Sequence, residues 1–365
     1  MARDQDMIDK LRLIRSRRVG PVTWHRLLAE YGSAAAALAA LPDVAKAAGV
    51  KDYECCPEGV VLTEMAAGRR AGARLVCHGT ADYPPALAEL SDAPPILWVK
   101  GRQDLLARPM LALVGARNAS SLGIRMARRL AETLGQTHAI VSGLARGIDT
   151  VAHEAALDSG TVAVLAGGID VIYPAENTDL AKKLAEKGCL ISEQPPGTEP
   201  QARHFPLRNR IVSGLSRAVV VVEAASQSGS LITAKLALEQ GREVMAVPGH
   251  PFDGRAGGCN ALIRDGAILV RGAEDVLAAL APTNIAAPVR RMEPAPPPPA
   301  PTPRPTNISQ LHQQILDRLG PSPLAEDQLI RDIGLPPATL APELLNLELE
   351  GRVQRQPGGL LARIA

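Results

Sequence analysis

The sequence predicts an α/β fold: a central, doubly wound parallel sheet, with a small helical domain before it and a small helix-and-wing module after it. Three observations predict it. From about Leu105 to Leu280, short runs rich in Val, Ile and Leu end in glycine and lead into helical patterns. From Pro282 to Pro305, ten of 24 residues are proline. Before the central region, residues 11–41 alternate short apolar-periodic helices around a Gly20-Pro21 break.

In chain order, residues 1–75 form the helical domain, of helix–hairpin–helix or SAM-like type. Arg17 and Arg18 sit at its turn. Hairpins of this kind can hold DNA phosphates, but the favoured reading is a packing domain with solvated arginines. Residues 76–281 hold the sheet and its lead-in. The strands are expected at 111–115, 139–143, 161–167, 189–193, 218–224 and 243–249. Continuous apolar strands alternating with helices mean a parallel sheet covered on both faces, a Rossmann-like arrangement. In such folds ligands sit off the carboxyl ends of the strands, where helix N-termini point. Residues 282–306 form an extended linker, because proline fixes φ and removes donors. Residues 307–365 have the pattern of a winged helix: two helices, a third at about 337–350, and a Pro357-Gly358-Gly359 turn between two strands. The third helix of such a module usually reads the major groove. Here it carries Glu343, Glu348 and Glu350 and no Lys or Arg, so protein contact or self-association is expected instead.

Composition removes several classes of function. Forty basic against 38 acidic side chains leave a net charge of +2, so attraction to nucleic acid must come from local patches. Aromatic content of 2% excludes a stacking platform spread over a sheet face. The five cysteines (55, 56, 77, 189 and 259) show no C-x-x-C and no paired His at ligand spacing; they read as buried or free thiols in a reducing compartment, with no metal or cofactor. MARDQDMIDK has no apolar signal core and no long apolar run occurs after it, which predicts a cytoplasmic protein without a membrane span.

Cations concentrate at the strand ends. VGARNASSLGIRMARR (114–129) lies in a stretch without carboxylates from Leu105 to Ala131; Arg117 is in the loop, and Ser120 or Ser121 is the expected N-cap. SGLARGIDTVAH (142–153) places Arg146 between Gly143 and Gly147, with Asp149 as the expected N-cap and His153 as a hydrogen-bonded packing residue. FPLRNRIVSGLS (205–216) lies in a second acid-free stretch, Pro200 to Val222, with Arg203, Arg208, Arg210 and Arg217 beside Phe205, one of only two phenylalanines. ASQSGSLITAKLALEQG (225–241) opens a helix with Ser228, Gly229 and Ser230, followed by Thr233 and Lys235, which suits a phosphate but lacks the G-K-[ST] ending of a P-loop. Several arginines and helix starts on one sheet edge fit a polymer of phosphates better than a single nucleotide. Phe205 would contact a base. One arginine of the Arg208-Asn209-Arg210 triplet could instead pair with Glu193 or Glu223, with Arg208 the first candidate, structural yet exposed.

These motifs, with TVAVLAGGIDVIYPAEN, SEQPPGTEP, VVVVEAASQSGSLITAKLALEQGREVMAVPG and GGCNALIRDGA, occur in order from about Tyr83 to Val270. They resemble the DNA-processing protein A (DprA/Smf) family. The resemblance implies a non-enzymatic mediator that binds incoming single-stranded DNA during natural transformation, protects it, helps load the RecA recombinase and works as a homodimer. It carries a DNA-binding role onto Arg117, Gly143, Arg146, Phe205, Asn209 and Arg210. The physical reading adds Ser228, Gly229, Ser230 and Lys235 and leaves Arg203 as a weaker candidate. The competing class is a nucleotide-binding enzyme of the lysine-decarboxylase-like phosphoribohydrolase type. Such an enzyme needs a catalytic carboxylate one turn into the last of these helices, where this chain has Ala234, Lys235 and Leu236 before Glu239. A third reading, a nucleotide sensor using the winged helix on duplex DNA, is opposed by the acidic third helix.

Overall fold

Gly20-Pro21 separates the first two helices, α1 (Ala2–Arg15) and α2 (Pro21–Tyr31). Pro21 stands at the first helical position, where its missing N–H has no partner to lose. Gly32, at φ 75°, ends α2, and the Ser33 hydroxyl caps α3 (Ala34–Ala47) by accepting from the Ala36 amide at 3.2 Å. Trp24, Leu27, Ala37, Leu38 and Leu41 form the core of this helical group. Helix α4 (Glu58–Arg70) ties the group to the sheet. Glu64 accepts from Arg15 at 2.9 and 2.8 Å and from the Trp98 indole at 3.1 Å. The computed structural model describes residues 2–281, 308–319, 324–356 and 360–364. The expected proline-rich linker and the turn at 357–359 lie outside the described residues.

The sheet has nine strands, three more than the apolar runs predict. The lead-in supplies β1 (Arg74–Cys77), the one-turn helix α5 (Pro85–Ala88) and β2 (Ile96–Gly101). The alternating core continues as β3 (Met110–Val114), α6 (Ser121–Leu134), β4 (Ala139–Ser142), α7 (Ile148–Ala155), β5 (Thr161–Val164), α8 (Thr178–Lys187), β6 (Cys189–Ser192), α9 (His204–Leu215), β7 (Ala218–Val221), α10 (Gly229–Glu239), β8 (Glu243–Ala246), α11 (Gly257–Arg264), β9 (Ile268–Leu269) and α12 (Ala273–Leu280). The spatial order is β1-β2-β6-β5-β4-β3-β7-β8-β9. From β6 to β9 all neighbours are parallel, while β2 runs antiparallel to β6 and β1 antiparallel to β2.

The chain winds outward from β3 to β6, then returns through α9 to start β7 on the other side of β3. Alternate residues divide the core: Val141, Val162, Val219 and Ile211 pack on one face, Leu111, Ile140, Val220 and Leu130 on the other. Several strands end earlier than their apolar runs. Leu165 and Ala166 stay buried beyond β5, in the loop rather than in the ladder. All the carboxyl ends from β6 to β9 share one edge, and the cationic loops around Arg117 and Arg146 start there.

The chain divides into two compact units, Met1–Thr283 and Asn284–Ala365. The second is a winged helix: α13 (Ile308–Arg318), β10 (Leu324–Ala325), α14 (Glu326–Ile333), α15 (Pro337–Leu349), β11 (Val353–Gln356) and β12 (Leu360–Arg363), closed over Ile315, Leu329, Leu344 and Leu361. The acids of the third helix have partners. Glu343 meets His312 at 2.7 Å, Glu348 meets Arg355 at 3.0 Å, and Glu350 lies 3.7 Å from Arg352. The outward face of α15 is apolar, with Leu345 and Leu349 exposed.

Candidate nucleic-acid interface

Helix α9 crosses the carboxyl ends of β4 and β5 and builds the cleft floor. Arg208 is 7% exposed and donates to the carbonyls of Gly143 and Val164, the latter at 2.7 Å. A methyl group on Gly143 would lie 2.1 Å from the Arg208 guanidinium, so glycine is required there. Burial pulls the Arg208 pKa down to about 10, opposed by the Asp149 carboxylate. Asp149 is itself buried and accepts the amides of Gly143 and Ala145 at 3.0 and 3.3 Å; burial pushes its pKa up, against Arg208 and those two amides. Leu144 at φ 55° and Gly147 at φ 76° bend the loop so that Arg146 points to solvent.

Over this floor stand three side chains in contact. The Arg117 guanidinium lies 5.6 Å from the Phe205 ring centroid, and the Phe205 and Tyr173 rings meet edge-on at 5.6 Å. Arg117, Gly143, Ala145, Arg146, Tyr173, Pro174, Phe205 and Arg208 line one cleft, without a carboxylate among them. Arg117 is exposed, Tyr173 is 52% exposed and Phe205 is half-buried. Arg146 lies 4.0 Å from Glu176, with both side chains mostly in water, where such a pair contributes little.

Four of the residues that the sequence pointed to are therefore brought together: Arg117, Gly143, Arg146 and Phe205. The others are not, for physical reasons. Arg210 is a correction: it is 7% exposed and donates to both oxygens of Glu193 at 2.6 Å and to the Asp92 carbonyl at 2.6 Å. A guanidinium so enclosed has no face left for phosphate. Asn209 accepts from Arg208 at 3.1 Å and so braces that side chain. Arg208 is structural, but buried rather than exposed. Ser228, Gly229 and Ser230 start α10 beyond β7 and do not line the cleft; the Ser228 and Ser230 hydroxyls bond each other at 2.7 Å. Lys235 faces solvent 3.8 Å from Glu239.

Two helix starts expected to face an anion are filled from within. Ser120, the N-cap of α6, donates its amide to Glu223 at 2.9 Å and its hydroxyl to the same carboxylate. Glu223 thus plugs the crevice between β3 and β7, where the strand order reverses and ligands of such folds usually sit. Asp149 serves the amides ahead of α7, whose N-cap is Gly147 rather than Asp149. The open cleft is displaced toward β4 and β5. Tyr173 and Pro174 were not among the residues the sequence pointed to; their signal was an exposed aromatic in the loop after β5, a strand end that offered no cation. Among the described residues no cluster of His, Cys, Asp and Glu could hold a metal ion, and no helix is long and apolar enough to cross a membrane.

The model for DNA recombination-mediator protein A matches residues 74–281, preceded by a DprA-like N-terminal HHH domain at 4–67 and followed by a DprA winged helix domain at 293–359. The chain belongs to the DNA recombination-mediator protein A (DprA/Smf) family. DNA processing protein DprA of Streptococcus pneumoniae is 48% identical over 198 residues, covering 54% of this chain and 70% of that protein. Protein Smf of Escherichia coli is 41% identical over 281 residues, 76% of this chain and 74% of that one. The X-ray structure of the pneumococcal DprA superposes with a TM-score of 0.64 at 37% identity, over 74% of this chain and 97% of that chain. A Helicobacter pylori DprA structure, which concerns that protein's single-stranded DNA binding mode, matches with a TM-score of 0.53 at 28% identity, over 57% of this chain and 97% of its own.

Proposed function

We propose that this chain is a recombination mediator that grips single-stranded DNA along the carboxyl edge of its sheet, protects it, and helps load the RecA recombinase during natural transformation. It acts as a cytoplasmic, non-enzymatic homodimer. The observation that carries the reading is the Arg117–Phe205–Tyr173 cluster in a cleft with no carboxylate lining. An exposed cation against an aromatic ring supplies both halves of a nucleotide contact. Arg117 and Arg146 pair with phosphates, which positions a strand without reading its sequence. Phe205 and Tyr173 offer ring surface to bases, a sequence-tolerant contact. Arg208, with Asn209 and Asp149, holds the loop that presents Arg146. The binding mode reported for the Helicobacter pylori relative supports a single strand as the ligand. The phosphoribohydrolase alternative has no carboxylate at the required turn of α10, where Glu239 comes too late and sits beside Lys235.

The test is binding of fluorescent oligothymidylate by the full-length protein over a salt series. Each phosphate neutralised contributes about −0.7 to the log–log slope for single strands. Arg117→Ala should weaken binding at least tenfold and flatten the slope by about one such contact, with thermal stability unchanged. Binding equal to wild type by Arg117→Ala would remove the cleft from the proposal.

A further inference from the structure

The chain has two phenylalanines. Phe205 is in the cleft; the other, Phe252, is 93% exposed on the loop between β8 and α11. That loop is built, not slack. Asn260 clamps its start by accepting the Gly249 amide at 3.1 Å and donating to the Gly249 carbonyl at 2.9 Å. The Ala224 amide, beyond β7, donates to the Arg255 carbonyl at 2.8 Å. Asp253 turns the middle by accepting the Arg255 amide at 2.9 Å. The Phe252 amide donates to the His250 ring at 3.3 Å, and the two rings lie 5.5 Å apart at 39°. A constrained loop therefore holds a large apolar ring in water, where burial would have been favourable.

β8 is parallel to β7 and β7 to β3, so Phe252 stands on the same edge of the sheet as Arg117. Two strand spacings separate the ends of β3 and β8, about 10 Å, a distance that a few nucleotides cover. The one cation of the loop, Arg255, is held by Asp253 at 3.1 Å, so the loop offers ring surface rather than net charge. We propose that Phe252 is a second base-stacking contact for single-stranded DNA, extending the track beyond the Arg117–Phe205 cleft toward β8. This rests on the single-strand reading of the cleft.

The experiment compares wild type, Phe252→Ala and Phe252→Trp on oligothymidylates of about 4 and about 16 nucleotides, the range of site sizes for such grooves. Phe252→Ala should lose about tenfold on the longer strand and less on the shorter, which reaches Phe252 in only some of its registers, with an unchanged salt slope, since no phosphate contact is removed. Phe252→Trp should restore binding. A longer strand with abasic sites should bind wild type and Phe252→Ala alike. If wild type binds and Arg117→Ala weakens it while Phe252→Ala matches wild type, this inference fails and the cleft stands. If wild type binds no single strand, the underlying reading fails. If Phe252→Ala changes only the sedimentation of the protein, the loop is a contact between copies and the proposal is overturned.

Discussion

Two pairs of arginines surround the same strand ends, and their surroundings give them opposite roles. Arg117 and Arg146 come from the loops after β3 and β4 and stand in water, Arg146 4.0 Å from the equally exposed Glu176. Arg208 and Arg210 come from α9, are each 7% exposed, and are bonded to carbonyls and, for Arg210, to Glu193. A buried guanidinium is tolerated only when its donors are satisfied, so the α9 pair belongs to the scaffold. The loop pair is left available to phosphate. The same division runs through the helix starts, where Glu223 and Asp149 take the amides that an outside anion would otherwise use. Local positive charge thus marks a binding edge only where the fold supplies no anion of its own.

The sharpest way to break this comparison is Arg210→Ala. It orphans Glu193, whose pKa burial already raises against the pull of Arg210. The loss should be about 3–5 kcal/mol of folding free energy, read as a lower urea midpoint, whereas Arg117→Ala should leave the midpoint in place. A stable Arg210→Ala protein that loses DNA as Arg117→Ala does would reverse the assignment. Next in size is Phe205→Ala, expected to weaken strand binding by about 1–3 kcal/mol while leaving most of the salt slope, as measured by the same titrations.

The smallest effect concerns the scaffold behind Arg208. Thr161 donates to the Ile140 carbonyl at 2.7 Å, so His153 Nδ1 must donate to Thr161 at 2.7 Å, leaving Nε2 a buried acceptor without a partner among the described residues. Burial, with the Arg208 charge behind it, pushes the His153 pKa down to about 3. The unfolded chain takes up this proton near pH 6.5 and the folded chain does not, so stability is full above about pH 6.5 and falls as pH drops toward 3. The histidine alone should remove about 1 kcal/mol between about pH 6.5 and 5.5. Urea midpoints of His153→Gln across that window should lack this component; an identical pH dependence in the variant would show that His153 is not buried neutral.

Much of the architecture was legible because it rests on local pattern. Apolar runs of β3 to β8 declare a parallel sheet, Gly20-Pro21 punctuates the helices, and the acid-free stretches around Arg117 and Phe205 mark the edge where cations gather. The strands β1 and β2 were not legible, since the short run RLVC pairs only with β2, and β2 joins the sheet only through β6, far along the chain. The roles within Arg208-Asn209-Arg210 were equally hidden. On a helix, residues two apart point about 200° away from each other, so one arginine reaches Gly143 and Val164 and the other Glu193. Phe205 and Arg208, three apart, share the face toward the cleft.

By itself, then, the sequence determined the sheet, its flanking helical modules and the edge where cations gather, because hydrophobic period and charge composition are properties of neighbouring residues. Which of those cations stay open was decided only by the tertiary structure. Glu193, Glu223 and Asp149 are brought to particular guanidinium and amide groups by strand order and helix phase, and a charge that finds its counterion inside the fold is no longer offered outside it.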